Sequence, residues 1–179
     1  MKKLLYAVAA FAVLFTSCAK DDVVAPVEDK EALVSFCVNS PAVATRAYGD
    51  GEEATTLYWA VYNADGTIVE ALQGSKEIKL STTVDLRLIQ GREYDVLFWA
   101  ADADAPYDVD WDAKTMTVDY QNLTANQESY DAFFKYESLG EVSGALSKTI
   151  ELRRPFAQLN IATGDKSDAE AAGLVVDKT

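Results

Sequence analysis

Apolar and polar residues alternate with a period of two over much of this chain, a pattern that predicts β-strands with two different faces. In the first such segment, Leu33–Val38, the alternation places Val34, Phe36 and Val38 together on one face. Turn-forming residues separate this segment from the ones that follow. The predicted strands are Leu33–Val38, Thr56–Asn63, Thr67–Leu72, Ser75–Leu80, Thr83–Gln90, Tyr94–Ala100, Thr115–Tyr120, Ala145–Leu152 and Phe156–Ala162.

Two of these strands, Thr56–Asn63 and Tyr94–Ala100, are apolar on both faces, as central strands of a packed sheet are. Residues 101–112 are rich in alanine, aspartate and proline and predict a loop. Many short strands separated by turn residues, with little helix, are typical of a β-sandwich. We therefore expect a mostly β protein with one or two short helices.

Two segments depart from the β pattern. Asn126–Ser138 carries clustered aromatic residues and predicts one or two helical turns lying on the edge of the sandwich. Asp165–Gly173 predicts a short helix with Ser167 as its cap and Gly173 as its stop. The sequence ends at Leu174–Thr179, where the pattern predicts the start of another strand. We therefore expect the domain to be incomplete at its C-terminus.

The start of the chain has the organisation of a secretory signal. Two lysines precede an unbroken apolar run, Leu4 to Phe15, which is too short to cross a bilayer comfortably as a permanent span. Small polar residues then lead to Cys18, so a peptidase can approach the backbone there and the thiolate can take a lipid. The segment Leu14-Phe15-Thr16-Ser17-Cys18 resembles the lipobox of a bacterial lipoprotein. The alternative is an ordinary signal peptide with an incidental cysteine.

Lipidation of Cys18 predicts a stable membrane anchor, because two or more acyl chains hold a protein stably whereas one holds it only marginally. Residues 1–17 are then a signal peptide, residues 18–31 a charged tether, and residues 32–179 one β-sandwich domain. The acidic residues in Ala19-Lys20-Asp21-Asp22 resemble the export signal of Bacteroidetes surface lipoproteins. The expected location is the outer membrane, with the domain on the cell surface.

The composition excludes several classes of function. The formal net charge of −13 becomes −15 when Lys2 and Lys3 leave with the signal, and this acidity argues against nucleic acid as a partner. The chain contains no histidine, which excludes histidine-based triads, general bases and metal sites. With Cys18 lipidated, Cys37 has no internal disulfide partner. We expect Cys37 to be a small buried hydrophobe rather than a reactive thiol.

A predicted exposed loop over residues 42–53 contains a single arginine between small neighbours, in Thr45-Arg46-Ala47. Arg46 is either a solvated loop side chain or a cleavage site for a trypsin-like protease. The two interpretations differ in the N-terminus that they predict for the mature protein.

Several segments taken in order resemble Bacteroidetes fimbrillins, the subunits of type V pili. These segments are Thr45-Arg46-Ala47, Gly49–Thr55, Leu57–Asn63, Asp131–Phe134 and Leu152–Asn160. The resemblance covers most of residues 1–173 and implies a transthyretin-like, Greek-key antiparallel β-sandwich. In that family the subunits travel as lipoproteins, and a protease cuts after an arginine. The cut removes the first strand, and a strand from the next subunit fills the groove.

Position by position, the resemblance implies that Arg46 is the cleavage residue and Ala47 the new N-terminus. It implies that the strand bearing Val34, Phe36 and Val38 is the one exchanged. The family's C-terminal region, which supplies the donor strand, has no counterpart in this sequence. An unprocessed surface lipoprotein therefore stays as the alternative.

The acidic loop offers a candidate metal site. Asp108, Asp110 and Asp112 have the spacing of a calcium-binding loop, and Asp119 stands at its twelfth position. Ala113, however, occupies the position at which the tight turn needs glycine, and no helices flank the segment. A solvated acidic loop is the favoured interpretation, and we expect no metal and no other cofactor. The same carboxylates could be paired as in a glycosidase, but any acidic protein offers such pairs.

The aromatic residues offer a candidate ligand site. Trp59 and Trp99 lie within apolar strands and are expected in the core. Trp111 lies in the acidic loop and is the candidate for ligand contact. No arrangement of Ser, Lys or Tyr indicates an activated nucleophile, so we expect that the protein is not an enzyme.

Two functions remain from different classes. The first is a fimbrillin-like pilus subunit or anchor, which joins other subunits by strand addition. The second is a surface lipoprotein whose loops, with Trp111, hold a glycan or a host protein. In both, the membrane is contacted only through the N-terminal lipid. A mature N-terminus at Ala47 would indicate the first, whereas retention of lipidated Cys18 would indicate the second or a pilus anchor.

Overall fold

The computed structural model describes residues 29–41, 51–121, 123–124, 127–156 and 166–173. Most of these residues lie in short strands. The strands are β1 Glu31–Asn39, β2 Thr56–Asn63, β3 Gly74–Glu77, β4 Ser81–Ile89, β5 Glu93–Ala101, β6 Tyr107–Asp110, β7 Thr115–Val118, β8 Ala132–Glu141 and β9 Leu146–Glu151. Glu70–Leu72 and Glu128–Tyr130 form 3-10 turns, and Lys166–Ala171 forms the helix α1.

The strands form two main sheets and one hairpin. The three-stranded sheet has the order β4-β1-β9, and the four-stranded sheet has the order β3-β2-β5-β8. The hairpin consists of β6 and β7. Neighbouring strands are antiparallel except for β1 and β9, which run parallel. The expected mostly β sandwich is confirmed, with this parallel pair as its departure from a purely antiparallel arrangement.

The first strand lies in the middle of its sheet, where it pairs with β4 over nine positions and with β9 over six. Its predicted inner face is confirmed, because Val34, Phe36 and Val38 are each 0% exposed. The ring of Phe36 meets the ring of Phe98 from β5 edge-on, with centroids 5.3 Å apart. This contact places β1 directly against the four-stranded sheet and forms the centre of the core.

The four-stranded sheet is apolar on both faces, as its two central strands predict. On β5, Phe98 points toward the three-stranded sheet, and Trp99 points to the opposite face. On β2, Trp59 packs against the main core, and Tyr58 points outward. The outward residues form a second apolar cluster, which the β6–β7 hairpin covers.

The prediction of one or two helical turns over Asn126–Ser138 holds only for Glu128–Tyr130, which form a 3-10 turn, and it is wrong from Ala132 onward, where the segment belongs to β8. Phe133 is fully buried in the core, whereas its neighbour Phe134 is exposed on the opposite face. Aromatic residues on both faces hide the period of two that identifies a strand. Pairing with β5 along nine positions fixes the extended conformation instead.

Two further predicted segments differ from the structure over a few residues each. Within the predicted strand Thr67–Leu72, only Ile68 makes a ladder contact, to Tyr62, and Glu70–Leu72 turn as a 3-10 helix. The predicted loop 101–112 contains β6, whose alternating aspartates resemble loop residues.

Two single-residue expectations also fail. Cys37 is exposed, because it lies on the opposite face of β1 from Phe36. Ser167 lies inside α1 rather than at its cap, since the helix begins at Lys166. Gly173 ends the helical segment with a φ of 81°, as expected of a stop glycine.

Cys18, Arg46 and Ala47 lie outside the described residues, as does most of the predicted strand Phe156–Ala162. In the part of the chain that the structure describes, no helix is long and apolar enough to cross a membrane.

The opposite faces of β1 predict different responses to substitution. Phe36→Ala should lower the free energy of unfolding by about 3–5 kcal/mol, because it leaves a cavity at the centre of the core. Cys37→Ser, one residue away on the exposed face, should change it by less than about 0.5 kcal/mol. Urea unfolding of the two variants measures the difference. Similar losses from both variants would contradict the assigned faces.

Candidate functional site

The outer face of the four-stranded sheet carries a row of aromatic side chains at one end. Tyr58 on β2 pairs with Trp99 on β5, and Trp99 pairs with Phe134 on β8. Partners directly opposite in a ladder point to the same face. The strand register therefore brings Tyr58, Trp99 and Phe134 side by side, away from the main core.

The β6–β7 hairpin folds over this aromatic row and is fixed at its tip. The hydroxyl of Tyr62 donates a hydrogen bond of 2.7 Å to the backbone oxygen of Trp111. The Nζ atom of Lys114 lies 4.3 Å from the centroid of the Tyr62 ring. Lys114 itself has a φ of 55°, which closes the turn between the two strands. Tyr62 thus holds both ends of the hairpin turn against β2.

The base of the hairpin is held by Tyr107. Its ring meets Trp99 edge-on with centroids 5.7 Å apart, and it stacks with Phe156 at 5.5 Å. Its hydroxyl donates a hydrogen bond to the backbone oxygen of Tyr130. Burial raises the pKa of Tyr107 above its ordinary value, which extends the pH range in which the hydroxyl is a donor further into the alkaline region. These contacts fix the orientation of the Tyr107 ring.

A cavity of about 160 Å³ remains between the hairpin and the sheet, and we call it the aromatic groove. The aromatic residues that line it are Tyr58, Trp99, Tyr107 and Trp111, and Asp102 lines it as well. The other lining residues are small: Ala101, Ala103, Ala105 and Val109. Sites for drug-sized ligands usually measure about 300–1,000 Å³. The aromatic groove therefore has room for one small chemical group rather than for a long ligand.

The rim of the aromatic groove is acidic. The carboxylate of Asp102 accepts a hydrogen bond of 2.8 Å from the backbone N–H of Asp104. Asp108 and Asp110 are exposed on β6, and Asp110 accepts a hydrogen bond of 2.9 Å from the N–H of Ala113. Among the described residues, no lysine or arginine lines the cavity. The local field therefore favours positive charge over negative charge.

The candidate calcium ligands do not form a site. Among the residues that the structure describes, no group of three or more acidic or cysteine side chains could hold a metal ion. Asp108, Asp110 and Asp112 are exposed, and the carboxylate of Asp119 accepts a hydrogen bond from the N–H of Gln121.

The three tryptophans have three different environments. Trp59 packs on the main core, and its Nε1 donates a hydrogen bond of 2.9 Å to the backbone oxygen of Leu72. Gly74 lies so close to the Trp59 ring that an added Cβ atom would be 2.4 Å from it. Trp99 is buried, but in the outer cluster and beside the aromatic groove. Trp111 is half-buried and lines the same groove. Its role in ligand contact stays a prediction.

Sequence reasoning missed Tyr58, Tyr107 and Asp102 as partners of Trp111. The signal for Tyr58 was the two-sided apolar pattern of its strand, which indicates a second covered face. No local pattern marks Tyr107 or Asp102, because they line the groove only when the β6–β7 hairpin folds back over the sheet.

The other candidate site is the first strand and the segment that follows it. Pro41 and Gly51, the residues on either side of positions 42–50, lie next to each other. A Cβ atom added to Gly51 would be 3.5 Å from the backbone oxygen of Pro41. Gly51 donates a backbone hydrogen bond of 3.1 Å to Asp131. Arg154 binds the same carboxylate through two nitrogens, at 2.6 and 3.0 Å. Arg154 also covers the ring of Phe133 at 4.9 Å. Asp131 therefore ties Gly51 to the body of the domain.

Comparison with protein families gives one match, to a model described as a family of unknown function (DUF6562), over residues 26–178. No curated protein matches this chain.

Three solved structures are similar to part of this chain. A proposed polysaccharide-binding protein (DUF1812) from Bacteroides thetaiotaomicron has 16% identity and a TM-score of 0.41, over 69% of this chain and 47% of that one. A proposed adhesin from Bacteroides ovatus has 10% identity and a TM-score of 0.46, over 69% and 46%. A fimbrial assembly protein from Parabacteroides distasonis has 13% identity and a TM-score of 0.33, over 70% and 53%. The chain spans about half the length of these structures, and likeness at this level does not extend to function.

The buried tyrosine that holds the hairpin predicts an alkaline transition. Burial, followed by the charge of Asp112, raises the pKa of Tyr62 from 10.0 to about 12. An unfolded tyrosine loses its proton near pH 10, whereas the folded one keeps it, so its stabilising effect is complete below pH 10 and is lost as the pH rises toward 12.

Tyr62→Phe should therefore be less stable than the wild type by about 1 kcal/mol below pH 10, through the lost hydrogen bond. This difference should shrink between pH 10 and pH 12. Urea unfolding at several pH values measures it, with the exposed Tyr120→Phe as the control that keeps the wild-type pH dependence. A difference that stays constant through pH 12 would contradict the raised pKa.

Proposed function

We propose a function for this chain, which belongs to the family of unknown function DUF6562: it is a cell-surface structural subunit that joins other chains by exchange of its first strand. The observation that carries the proposal is the position of β1. It is the middle strand of its sheet, and it fills the core with three side chains that are 0% exposed. Its removal would open a groove between β4 and β9 that another strand could fill.

An incoming strand would regain both kinds of contact that β1 makes. Backbone hydrogen bonds to β4 and β9 supply affinity, and pockets for alternate side chains supply specificity. Each fully buried side chain at Val34, Phe36 and Val38 contributes roughly 1.5–3 kcal/mol. Because of this burial, β1 stays bound after a cut in the chain until a competing strand replaces it.

Residues 42–50, which contain Arg46, join β1 to the rest of the domain. A cut after Arg46 would leave β1 held only by non-covalent contacts. The chain that follows the cut would remain attached to the domain. Gly51 binds Asp131 through its backbone N–H, and Asp131 binds Arg154. This arrangement supports release of β1 without loss of the rest of the fold.

We propose that the chain, before any cut after Arg46, is lipid-anchored at Cys18 and faces the cell exterior from the outer membrane. The lipobox-like segment and the acidic residues behind it support this location. We further propose that the protein is not an enzyme, since the sequence has no histidine and no activated nucleophile. Its partners are then other subunits of the same type.

A second candidate function is favoured by one specific observation, the aromatic groove. In this alternative the chain stays an unprocessed lipoprotein and uses the groove, with Trp111 in its wall, to bind a glycan or a host protein.

Limited proteolysis tests the strand-exchange proposal. Brief trypsin treatment of the folded mature chain at neutral pH should cut first between Arg46 and Ala47. The nicked protein should then take up an added peptide with the sequence of residues 31–39, detected as a mass shift by native mass spectrometry. The intact protein should take up none, because its own β1 remains covalently joined.

Two controls make this test specific. The Arg46→Gln variant should resist the cut and take up no peptide. A peptide in which aspartate replaces Phe36 should not enter the nicked protein, because its charge would be buried without a partner. If Arg46 resists trypsin in the folded chain, or if nicking changes neither stability nor peptide uptake, strand exchange is wrong.

A separate experiment tests the anchor. Cys18→Ala should yield protein that carries no lipid and no longer enters the detergent phase in Triton X-114 partitioning, because no acyl chain remains. Recovery of this variant in the detergent phase at the wild-type level would disprove lipidation at Cys18. Mass analysis of the native N-terminus distinguishes a lipidated Cys18 from an end at Ala47.

A further inference from the structure

We infer that the aromatic groove binds an organic cation, an alkylammonium or guanidinium group. This inference rests on the second candidate function, a binding module, and gives the ligand class of its site. It does not require that β1 be exchanged, because the groove and β1 lie on different sheets.

The first step is the arrangement of the rings. Tyr58, Trp99, Tyr107 and Trp111 come from three separate parts of the chain and line one cavity. Trp99 is buried in the outer cluster, and Tyr58 and Trp111 are only half-buried, so solvent reaches the site. An aromatic ring attracts a cation through its negative face, with about 0.5–1 kcal/mol at exposed sites and about 2 kcal/mol or more when water is excluded. Several rings around one cavity form a cage for a single positive group.

The second step is the charge at the rim. Of the described residues that line the cavity, Asp102 is charged and the others are neutral. The exposed side chains of Asp104, Asp108, Asp110 and Asp112 follow in the same segment, on a chain of formal net charge −13. This negative field attracts a cation and repels an anionic ligand such as a phosphate or a uronic acid. The negative field would not strengthen the binding of a neutral sugar ring.

The third step is a contact that the hairpin already makes. The ammonium group of Lys114 lies 4.3 Å from the centroid of the Tyr62 ring, on the same outer face of the sheet. Lys114 lies over the ring of Tyr62, next to the hairpin tip, and is not among the residues that line the aromatic groove. The residues that line the groove therefore have the same partner chemistry available to them, and none of the described residues that line the cavity is a lysine or an arginine.

The size of the cavity limits the ligand to one head group. About 160 Å³ admits a trimethylammonium group or the end of a lysine or arginine side chain. These sources share one chemistry, a positive group of low hydration on an alkyl stem. The experiment separates them by using a small quaternary ammonium and capped amino acids as independent probes.

The test uses the folded mature chain and a pair of probes that differ only in charge. Choline and its neutral isostere 3,3-dimethylbutan-1-ol have nearly the same shape. Titration followed by tryptophan fluorescence and by NMR shifts should show saturable binding of choline at least tenfold tighter than that of the alcohol. Raising the ionic strength should weaken choline binding and leave the alcohol unchanged. N-acetyl-lysine methylamide and N-acetyl-arginine methylamide, titrated in parallel, show whether a peptide side chain is preferred.

Variants assign the binding to the groove. Asp102→Asn should weaken choline binding at least threefold, whereas Glu93→Gln, which makes the same charge change at the far end of β5, should leave it unchanged. Trp111→Leu should abolish the binding. Trp111→Phe keeps a smaller ring and should retain part of it. The thermal midpoint and the near-ultraviolet circular dichroism of each variant show that the hairpin remains folded, since Tyr62 bonds the backbone of residue 111 rather than its side chain.

Equal affinity for choline and the alcohol would overturn the inference, because the groove would then be an apolar site without charge selection. Saturable binding of methyl glucoside or methyl galactoside without binding of any cation would overturn it as well, while leaving the binding-module function in place. Failure of every probe to bind would remove both the inference and the support that the groove gives to that function. None of these outcomes affects strand exchange, which peptide uptake measures separately.

Discussion

The contact between β1 and the four-stranded sheet is the interaction on which the rest of the structure depends. β4 and β9 have no ladder with each other, so the three-stranded sheet exists only because β1 pairs with both. The same strand sends Phe36 against Phe98 and thereby joins the two sheets into one core. Interiors of this kind are close-packed, so loss of one central strand removes partners from every neighbour. The strand that is proposed to leave is therefore the one that must be replaced.

The two apolar faces of the four-stranded sheet explain why a second site exists at all. A sheet with one apolar face needs one covering layer, whereas β2 and β5 need two. The three-stranded sheet covers the inner face, where Phe98 and Val96 are 0% exposed. The β6–β7 hairpin is short and covers the outer face in part, which leaves Trp99 buried, Trp111 half-buried and Phe134 exposed. The aromatic groove is the space that this smaller cover does not fill.

The sequence predicted the features that depend on one strand alone. The faces of β1 follow from a period of two with a single buried side, and the bounds of β2 follow from its unbroken β-favouring run. The helical prediction for the segment before Gly140 failed because Phe133 and Phe134 are both aromatic and point to opposite faces. The aromatic groove could not be predicted from the sequence for a different reason. It needs the register of β2 with β5 and the return of the hairpin, and neither is encoded near Trp111.

Strand β5 contributes a residue to each of the two proposed activities. Phe98 touches Phe36 of β1, and the next residue, Trp99, lines the aromatic groove on the other face of β5. A donor strand with a smaller residue at the position of Phe36 would leave a cavity, and one with a larger residue would push β5 outward. Either change would reach Trp99 through the backbone that the two residues share. An incoming strand that conserves the volume of Phe36 would thus keep both the core and the shape of the aromatic groove.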